Sequence, residues 1–247
     1  MEKSQADEKI LSYNDVVLRR SDLDILSGPY YLNDRIIEFY FSYLSSCHPS
    51  QDIILLVPPS IAFWIIQCPA TEALKDFLEP LHFSDKTLVM FPINDNDDVN
   101  RAEGGSHWSL LAYYRNANLF VHHDSCRGMN TGPAKQLYKA VVGYMGFSGS
   151  ATEASFLECT DSPKQENGHD CGLYVTAIAR VICSWHVNSK NTDTNHMWFS
   201  AMKERVTPSA VAGMRSEILA LIRDLMARHQ DIKTRELQLQ NKNCVPT

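Results

Sequence analysis

Apolar and polar positions in the first third of the chain predict three short helices. These cover Arg35–Leu44, Ser60–Gln67 and Thr71–Leu78. Asn33 or Asp34 can cap the first helix, because a short side-chain acceptor can meet a free backbone N–H at a helix start. Pro80 is expected to end the third helix, since proline cannot continue a regular helical hydrogen-bond pattern.

The pattern then changes to one that is typical of strands. Thr87–Phe91 is a short apolar run between polar turns, which predicts a buried strand. Trp108–Tyr114 and Leu119–His123 are separated by Arg115–Asn118, and this arrangement predicts a hairpin. Phe156–Cys159 predicts one more strand.

Helical patterns return in the last part of the chain. Pro133, at a first-turn position, is expected to open a helix that runs to about Met145. The segment from Cys171 to about Trp185 predicts a buried helix, and Ala210–Met226 predicts an amphipathic one. Helices followed by strands and again by helices indicate an α+β fold, not a repeating βαβ arrangement.

The chain shows no internal repeat and no low-complexity linker, so we expect a single domain. Residues 1–9 are polar and are expected to form a flexible N-terminus, with the domain covering 10–230. Residues 231–247 are polar and have no apolar periodicity, so we expect them to form a disordered tail.

Composition and charge exclude several classes of partner. Lys and Arg number 23 against 29 Asp and Glu, which gives a net charge of -6, and no dense Lys/Arg run occurs. We therefore expect no nucleic-acid partner.

The longest apolar stretch, 53–66, contains Pro58, Pro59 and Ser60, whereas a membrane span needs about 20 apolar residues. Seven scattered cysteines and a charged N-terminus predict reduced thiols in the cytoplasm or nucleus.

Cys171 is the strongest candidate for reactive chemistry. It follows the turn signal Asn167-Gly168 and comes directly before an apolar helical segment. At a helix N-terminus, free N–H groups and the helix dipole favour the thiolate, which is the reactive form of cysteine. The alternative is a small core residue like Cys183, since unpaired cysteines are commonly buried.

A nucleophilic cysteine needs a base, and the base needs a group that orients it. His107 stands at the entry of a predicted strand, and the next strand ends at Asp124. If the strands are neighbours, Asp124 can hold the tautomer of His107. Gln165 can offer its amide to an oxyanion beside the backbone N–H of Cys171. Each residue has an ordinary alternative, as a surface histidine or a turn-forming aspartate.

A metal site is the competing interpretation of the polar cluster His122, His123, Asp124 and Cys126. Structural zinc sites use two ligand pairs at characteristic spacings, and no such pair occurs here. Adjacent histidines on a strand also point to opposite faces. We therefore expect no metal and no cofactor.

Three segments together resemble the ubiquitin-like-protein-specific (sentrin-specific) cysteine proteases. That family has Gly-x-His-Trp, a strand ending in Asp-Ser, and Gln-x-Asn-x-x-Asp-Cys-Gly. The matching segments here are Gly105–Trp108, Asp124-Ser125 and Gln165–Gly172. The chain looks most similar to the deneddylating branch, which acts on the Nedd/RUB modifier. That similarity also lies in Ile10–Tyr13, Leu32–Asp34, Phe77–Leu81 and Ile93–Asn96.

The resemblance implies a permuted papain-like cysteine protease fold, with a mixed central sheet flanked by helices. It implies a thiol protease that cleaves after the C-terminal Gly-Gly of a ubiquitin-like modifier. The catalytic residues would be His107, Asp124, Gln165 and Cys171. The substrate-binding residues would be Trp108, Tyr31, Asn33, Asp34 and Asp170. The implied partners are the Nedd/RUB modifier and its conjugates, such as cullins, and the implied state is a monomer.

Two of the implied substrate contacts carry a further expectation. The flat indole of Trp108 over a backbone without side chains would exclude any residue larger than glycine, although burial in the core is the alternative. Tyr31 stands where the family usually has tryptophan. A smaller ring predicts a looser lid, with reduced turnover or relaxed selectivity. Asp34 has the alternative role of a helix cap.

Three other functions compete with a deneddylating protease. A SUMO-specific protease would differ in the surface that binds the modifier. An acyltransferase would need a basic pocket for a phosphorylated cofactor, and none is evident. A silent module that binds the modifier without cutting it should have lost one of the four proposed catalytic positions, and all four are present.

Overall fold

A five-stranded mixed sheet forms the centre of the protein. The computed structural model describes residues 3–48, 53–68, 71–101, 104–146, 153–188 and 197–243. The strands in these ranges are β1 (Lys9–Tyr13), β2 (Val16–Arg19), β3 (Ile54–Leu56), β4 (Leu88–Asn94), β5 (Trp108–Tyr114), β6 (Leu119–His123) and β7 (Ser155–Glu158). The helices are α1 (Lys3–Ala6), α2 (Arg20–Ser27), α3 (Asp34–Cys47), α4 (Pro59–Gln67), α5 (Thr71–Leu78), α6 (Thr131–Val141), α7 (Cys171–Asn188), α8 (Phe199–Arg205) and α9 (Pro208–Asn243).

Strands β3 to β7 lie side by side in chain order. β4, β5 and β6 are mutually antiparallel, whereas β3 and β7 run parallel to their neighbours at the two edges. In the β5/β6 hairpin Leu110 lies opposite His123. The beginning of β5 and the end of β6 therefore lie next to each other, at the same end of the sheet's strands. β1 and β2 form a separate antiparallel hairpin.

Alternation along β5 divides the core into two hydrophobic clusters, one on each face of the sheet. Trp108, Leu110 and Ala112 belong to the cluster that contains α3, α7 and α9. Leu111 and Tyr113 belong to the other cluster, which is covered by α4 and α6. Successive strand residues point to opposite faces, so a strand buried on both sides becomes almost continuously apolar. α7 is likewise apolar nearly all round, which is expected of a buried helix.

The α+β prediction is confirmed, with a mixed sheet flanked by helices. The β5/β6 hairpin has the predicted bounds, and the helix predicted from Arg35 is α3. Asn33 caps α3, because its side chain accepts a hydrogen bond from Ile36 N at 3.1 Å. No helix within the described ranges has both the length and the apolar composition that crossing a membrane requires.

Several elements differ from the sequence prediction. The N-terminal segment expected to be flexible contains α1 and the start of β1, and Glu8 there forms a 2.7 Å ion pair with Arg20. β1, β2, β3, α2 and α8 were not predicted from the sequence. α9 was expected to end near Met226 but continues to Asn243, which corrects the expected tail for residues 231–243. Lys, Arg, Glu, Leu and Gln dominate that stretch and have high helix propensity. Residues 244–247 lie outside the described ranges.

Candidate active site

Cys171 is the first residue of α7 and is fully buried. The turn before it is fixed by Asn167, whose Oδ1 accepts hydrogen bonds from His169 N at 3.1 Å and Asp170 N at 3.0 Å. A Cβ at Gly172 would lie 2.8 Å from Leu32 Cβ, so only glycine allows this close approach. The sulfur therefore sits at a helix N-terminus, where the helix dipole favours negative charge.

His107 immediately precedes β5 and is 2% exposed. Its Nε2 lies 2.7 Å from Asp124 Oδ1, which leaves Nδ1 as the ring nitrogen for other contacts. Burial lowers the pKa of His107, but hydrogen bonds and charge interactions with Asp124 and Cys171 outweigh that effect and raise the pKa to about 10. The imidazole is thus cationic at neutral pH and places a positive charge beside Cys171.

Asp124 follows the last residue of β6 and is 1% exposed. Besides His107, it accepts hydrogen bonds from the backbone N–H groups of Cys126 at 2.7 Å and Asn130 at 3.0 Å. Burial raises the pKa of this carboxyl, but the hydrogen bonds from His107, Asn130 and Cys126 outweigh that effect and lower the pKa to about 2. The carboxylate stays ionised and fixes both the orientation and the charge of His107.

The loop that carries His107 is held by Asp95. Asp95 Oδ1 accepts hydrogen bonds from Ser106 N at 2.6 Å and His107 N at 2.9 Å. Gly105 has a φ of +78°, and a Cβ there would overlap with Asn94 Oδ1. Asn130 Nδ2 supports the same loop by donating to His107 O at 3.3 Å. Sequence reasoning assigned no role to Asp95 or Asn130, because both act through main-chain groups.

Gln165 lies beside this group. Its backbone N–H donates to Ser125 O at 3.1 Å, and its side-chain Oε1 accepts from Ser125 Oγ at 2.7 Å. Gln165 Nε2 donates to Asn167 O at 2.7 Å, in the turn that leads to Cys171. The structure therefore brings all four predicted catalytic residues into one region: His107, Asp124, Gln165 and Cys171.

Four of the five predicted substrate-binding residues line a groove of about 170 Å³: Tyr31, Asn33, Asp34 and Trp108. Tyr31 is 50% exposed, whereas Trp108 is 6% exposed and donates from Nε1 to Leu32 O at 3.0 Å. The Asn33 side chain is already occupied, since it caps α3 and donates to Asp22 Oδ1 at 2.7 Å. Tyr31 and Trp108 thus provide aromatic groups along the groove.

The fifth predicted substrate-binding residue, Asp170, is buried and bonded to protein groups. Its carboxylate accepts from Asn167 Nδ2 at 2.7 Å and from Arg215 Nη2 at 2.9 Å. Arg215, on α9, also donates to Ile25 O and Tyr30 O, each at 2.9 Å. Arg215 therefore links Asp170, which precedes Cys171, to Tyr30, which precedes Tyr31. Sequence reasoning missed this residue, because it lies 45 positions after Asp170 and carries no motif.

The two histidines of β6 have protein partners on opposite faces of the sheet. His122 Nδ1 lies 2.8 Å from Glu158 Oε1, and its Nε2 lies 2.9 Å from Ser109 Oγ. His123 lies between Ser162 and Trp198, and burial, with the nearby charges of His122 and Lys164, lowers its pKa to about 3. Across the described ranges, His, Cys, Asp and Glu form no group of three that is suited to a metal ion.

Comparison with known proteins gives a consistent result. Residues 70–207 match the model for the Ulp1 protease family, C-terminal catalytic domain. The chain is 56% identical to NEDD8-specific protease 1 of Arabidopsis thaliana over 227 residues, which are 92% of this chain and 98% of that protein. It is 34% identical to human Sentrin-specific protease 8, covering 89% of this chain and 98% of that protein.

Solved structures show the same fold at low sequence identity. A structure described as the de-sumoylating protease has a TM-score of 0.72 and 15% identity, covering 94% of this chain and 96% of that one. The Ulp1 protease domain in complex with Smt3, the yeast ortholog of SUMO, has a TM-score of 0.60 and 18% identity, covering 91% of this chain and 96% of that one. These similarities concern the architecture alone.

Proposed function

The chain belongs to the Ulp1 protease family of cysteine peptidases, and we propose that it cleaves after the C-terminal Gly-Gly of the ubiquitin-like modifier NEDD8. The observation that carries the chemistry is the buried arrangement of Cys171, His107 and Asp124, with 2.7 Å between His107 Nε2 and Asp124 Oδ1. The choice of modifier is supported by the 56% identity to a protein named as NEDD8-specific. The proposed reactions are removal of NEDD8 from conjugates such as cullins and processing of its precursor.

The reaction begins with Cys171 as a thiolate paired with the His107 imidazolium. The sulfur attacks the carbonyl carbon of the terminal glycine, and the carbonyl oxygen becomes an oxyanion. We assign the stabilisation of this oxyanion to the backbone N–H of Cys171 and to Gln165 Nε2. Preorganised donors of this kind are typically worth about 10²- to 10³-fold in kcat.

Collapse of the tetrahedral intermediate breaks the bond to the leaving amine, which takes its proton from His107. The modifier is then bound to Cys171 as a thioester. His107, now neutral, removes a proton from water, and the resulting hydroxide attacks the thioester carbonyl. The modifier leaves with a free carboxylate, and the thiolate–imidazolium pair is restored.

The groove gives a physical reason for glycine at the cleavage site. Tyr31 and Trp108 line it, and the hydrogen bond from Trp108 Nε1 to Leu32 O fixes the indole. A flat aromatic surface can lie directly against a backbone that has no side chains, whereas a Cβ would hold the two apart. We therefore propose that these two rings select the Gly-Gly end of the modifier.

The experiment that tests the proposal compares three modifiers: NEDD8, SUMO and ubiquitin, each with a C-terminal fluorogenic leaving group. We expect kcat/KM for NEDD8 to exceed that for the other two on the order of 100-fold. Cys171→Ala is the control, which should bind NEDD8 without cleaving it. A preference for SUMO would contradict the proposed substrate. Binding without turnover by the parent protein would instead indicate a silent binding module.

A further inference from the structure

The side-chain amide of Gln165 is held at both ends. Its Oε1 accepts a hydrogen bond from Ser125 Oγ at 2.7 Å, and its Nε2 donates to Asn167 O at 2.7 Å. A single hydrogen bond would leave the amide free to pivot about that contact. Two contacts at opposite atoms fix the plane of the amide as well as its position.

The contact with Asn167 determines which atom of the amide is nitrogen. A backbone carbonyl oxygen can only accept, so the atom that faces Asn167 O must carry hydrogens. The other atom is then the oxygen, and the Ser125 hydroxyl donates to it. A side-chain amide nitrogen has two hydrogens, and Asn167 uses one of them. The second N–H of Gln165 is therefore available for a further acceptor.

Both groups that hold the amide belong to rigid parts of the site. Ser125 is 4% exposed, comes directly after Asp124, and also accepts the Gln165 backbone N–H at its own carbonyl. Asn167 is fixed by hydrogen bonds with His169 N and with both the backbone and the side chain of Asp170. Ser125 thus links the end of β6, where the His107–Asp124 pair lies, to the turn that leads into α7.

We propose that Ser125 is a positioning residue for catalysis, because its hydroxyl orients the Gln165 amide so that the second N–H of Nε2 points to the oxyanion. This inference rests on the oxyanion role of Gln165 that is assigned under the proposed function. Ser125 does not touch the reacting atoms and acts only through Gln165. Its effect should therefore fall on kcat and not on KM, since the oxyanion exists only after the sulfur has attacked.

The experiment is a double-mutant cycle of Ser125→Ala and Gln165→Ala, assayed with NEDD8 that carries a C-terminal fluorogenic group. Ser125→Ala is expected to lower kcat by about 3- to 10-fold, the factor that one neutral hydrogen bond usually supplies. KM should stay unchanged. In the Gln165→Ala background, Ser125→Ala should cause no further loss, because the amide that it orients is gone.

Two further variants separate orientation from general packing. Ser125→Thr keeps the hydroxyl and should recover most of the kcat that Ser125→Ala loses. Ser162→Ala is the matched control, since Ser162 is also buried and its Oγ lies 3.0 Å from a side chain, His123 Nδ1. That variant does not touch Gln165 and should keep the parent kcat. Equal thermal unfolding temperatures for Ser125→Ala and Ser162→Ala would show that the difference in kcat is not a folding effect.

The cycle distinguishes failure of this inference from failure of the proposed function. If the two alanine variants reduce kcat independently, so that the double variant shows the product of both losses, Ser125 does not act through Gln165. If Ser125→Ala keeps the parent kcat while Gln165→Ala lowers it, the proposed role of Ser125 is wrong and that of Gln165 stands. An unchanged kcat in Gln165→Ala removes the oxyanion role of Gln165 itself.

Discussion

Replacing Asp124 with asparagine tests the charge that controls His107. The carboxylate accepts three hydrogen bonds: from His107 at 2.7 Å, from Cys126 N at 2.7 Å and from Asn130 N at 3.0 Å. Asparagine keeps the shape but has a single acceptor atom, so its NH₂ group must face at least one of these donors. The variant therefore loses the negative charge and places two donors against each other.

The pKa of Asp124 gives the magnitude. The difference between the ordinary value of 3.8 and about 2 corresponds to about 2 kcal/mol in favour of the charged form. Both side chains of the pair are at most 3% exposed, so solvent screening reduces this only slightly. The rise in the pKa of His107 includes its contact with Cys171, so the Asp124 figure is the better measure of what the carboxylate contributes.

Without the carboxylate, the pKa of His107 should fall from about 10 by roughly two pH units, because the contact with Cys171 remains. At pH 6 most of His107 is then still protonated, whereas at pH 8.5 most of it is neutral and the thiolate has lost its cationic partner. We expect kcat/KM to drop several-fold at pH 8.5 and by a smaller factor at pH 6. The alkaline limb of the pH profile should move to lower pH.

The assay is kcat/KM on the fluorogenic modifier from pH 6 to pH 9.5, measured for the parent and for Asp124→Asn. Asp161→Asn is the matched control, because that aspartate is exposed and pairs with Lys203 at 2.8 Å. It should follow the parent profile. An Asp124→Asn profile that is parallel to the parent at every pH would refute the argument that the charge of Asp124 sets the protonation of His107.

Two substitutions and one labelling experiment probe the groove and the nucleophile. Gly105→Ala should lower kcat/KM and the unfolding temperature, because a Cβ at φ +78° would meet Asn94 Oδ1; equal values for parent and variant would contradict this. Tyr31→Trp should raise turnover on NEDD8 and lower the hydrolysis of a NEDD8 substrate that ends in Gly-Ala. Hydrolysis rates measured side by side check this, and unchanged rates on both substrates would contradict a role of Tyr31 as a lid. Cys171 should react with iodoacetamide at neutral pH, whereas Cys183 should not, because burial raises the pKa of Cys183 to about 12; mass spectrometry of the labelled peptides measures both.

Local sequence signals predicted the parts of the site that lie on regular elements. The β5/β6 hairpin was predicted from two apolar runs and a short polar connection, and its register then brings His107 to Asp124. The start of α7 followed from a turn signal before an apolar helical segment, which placed Cys171 at a helix N-terminus. These inferences succeeded because the period of a strand or helix determines where neighbouring side chains point.

The contacts that sequence reasoning missed join distant segments. Asp170 was expected to contact substrate, but its carboxylate is bonded to Arg215, and nothing local indicates that pairing. Asp95 and Asn130 hold the His107 loop through main-chain groups, which are present in every residue and leave no trace in the sequence. β3 has three residues and pairs in parallel, so its partner strand is set by tertiary packing and not by a turn.

The three hydrogen bonds of Arg215 bear on how much of the chain an active fragment must contain. The segment that matches the family model ends at residue 207, before α9 begins. A fragment cut at that point would retain the nucleophile, base and orienting carboxylate. It would also leave the Asp170 carboxylate without its cation and the Tyr30 carbonyl without its donor. The shortest autonomous protease is therefore longer than the segment that matches the family model, and limited proteolysis in α9 before Arg215 should inactivate the protein without touching its catalytic residues.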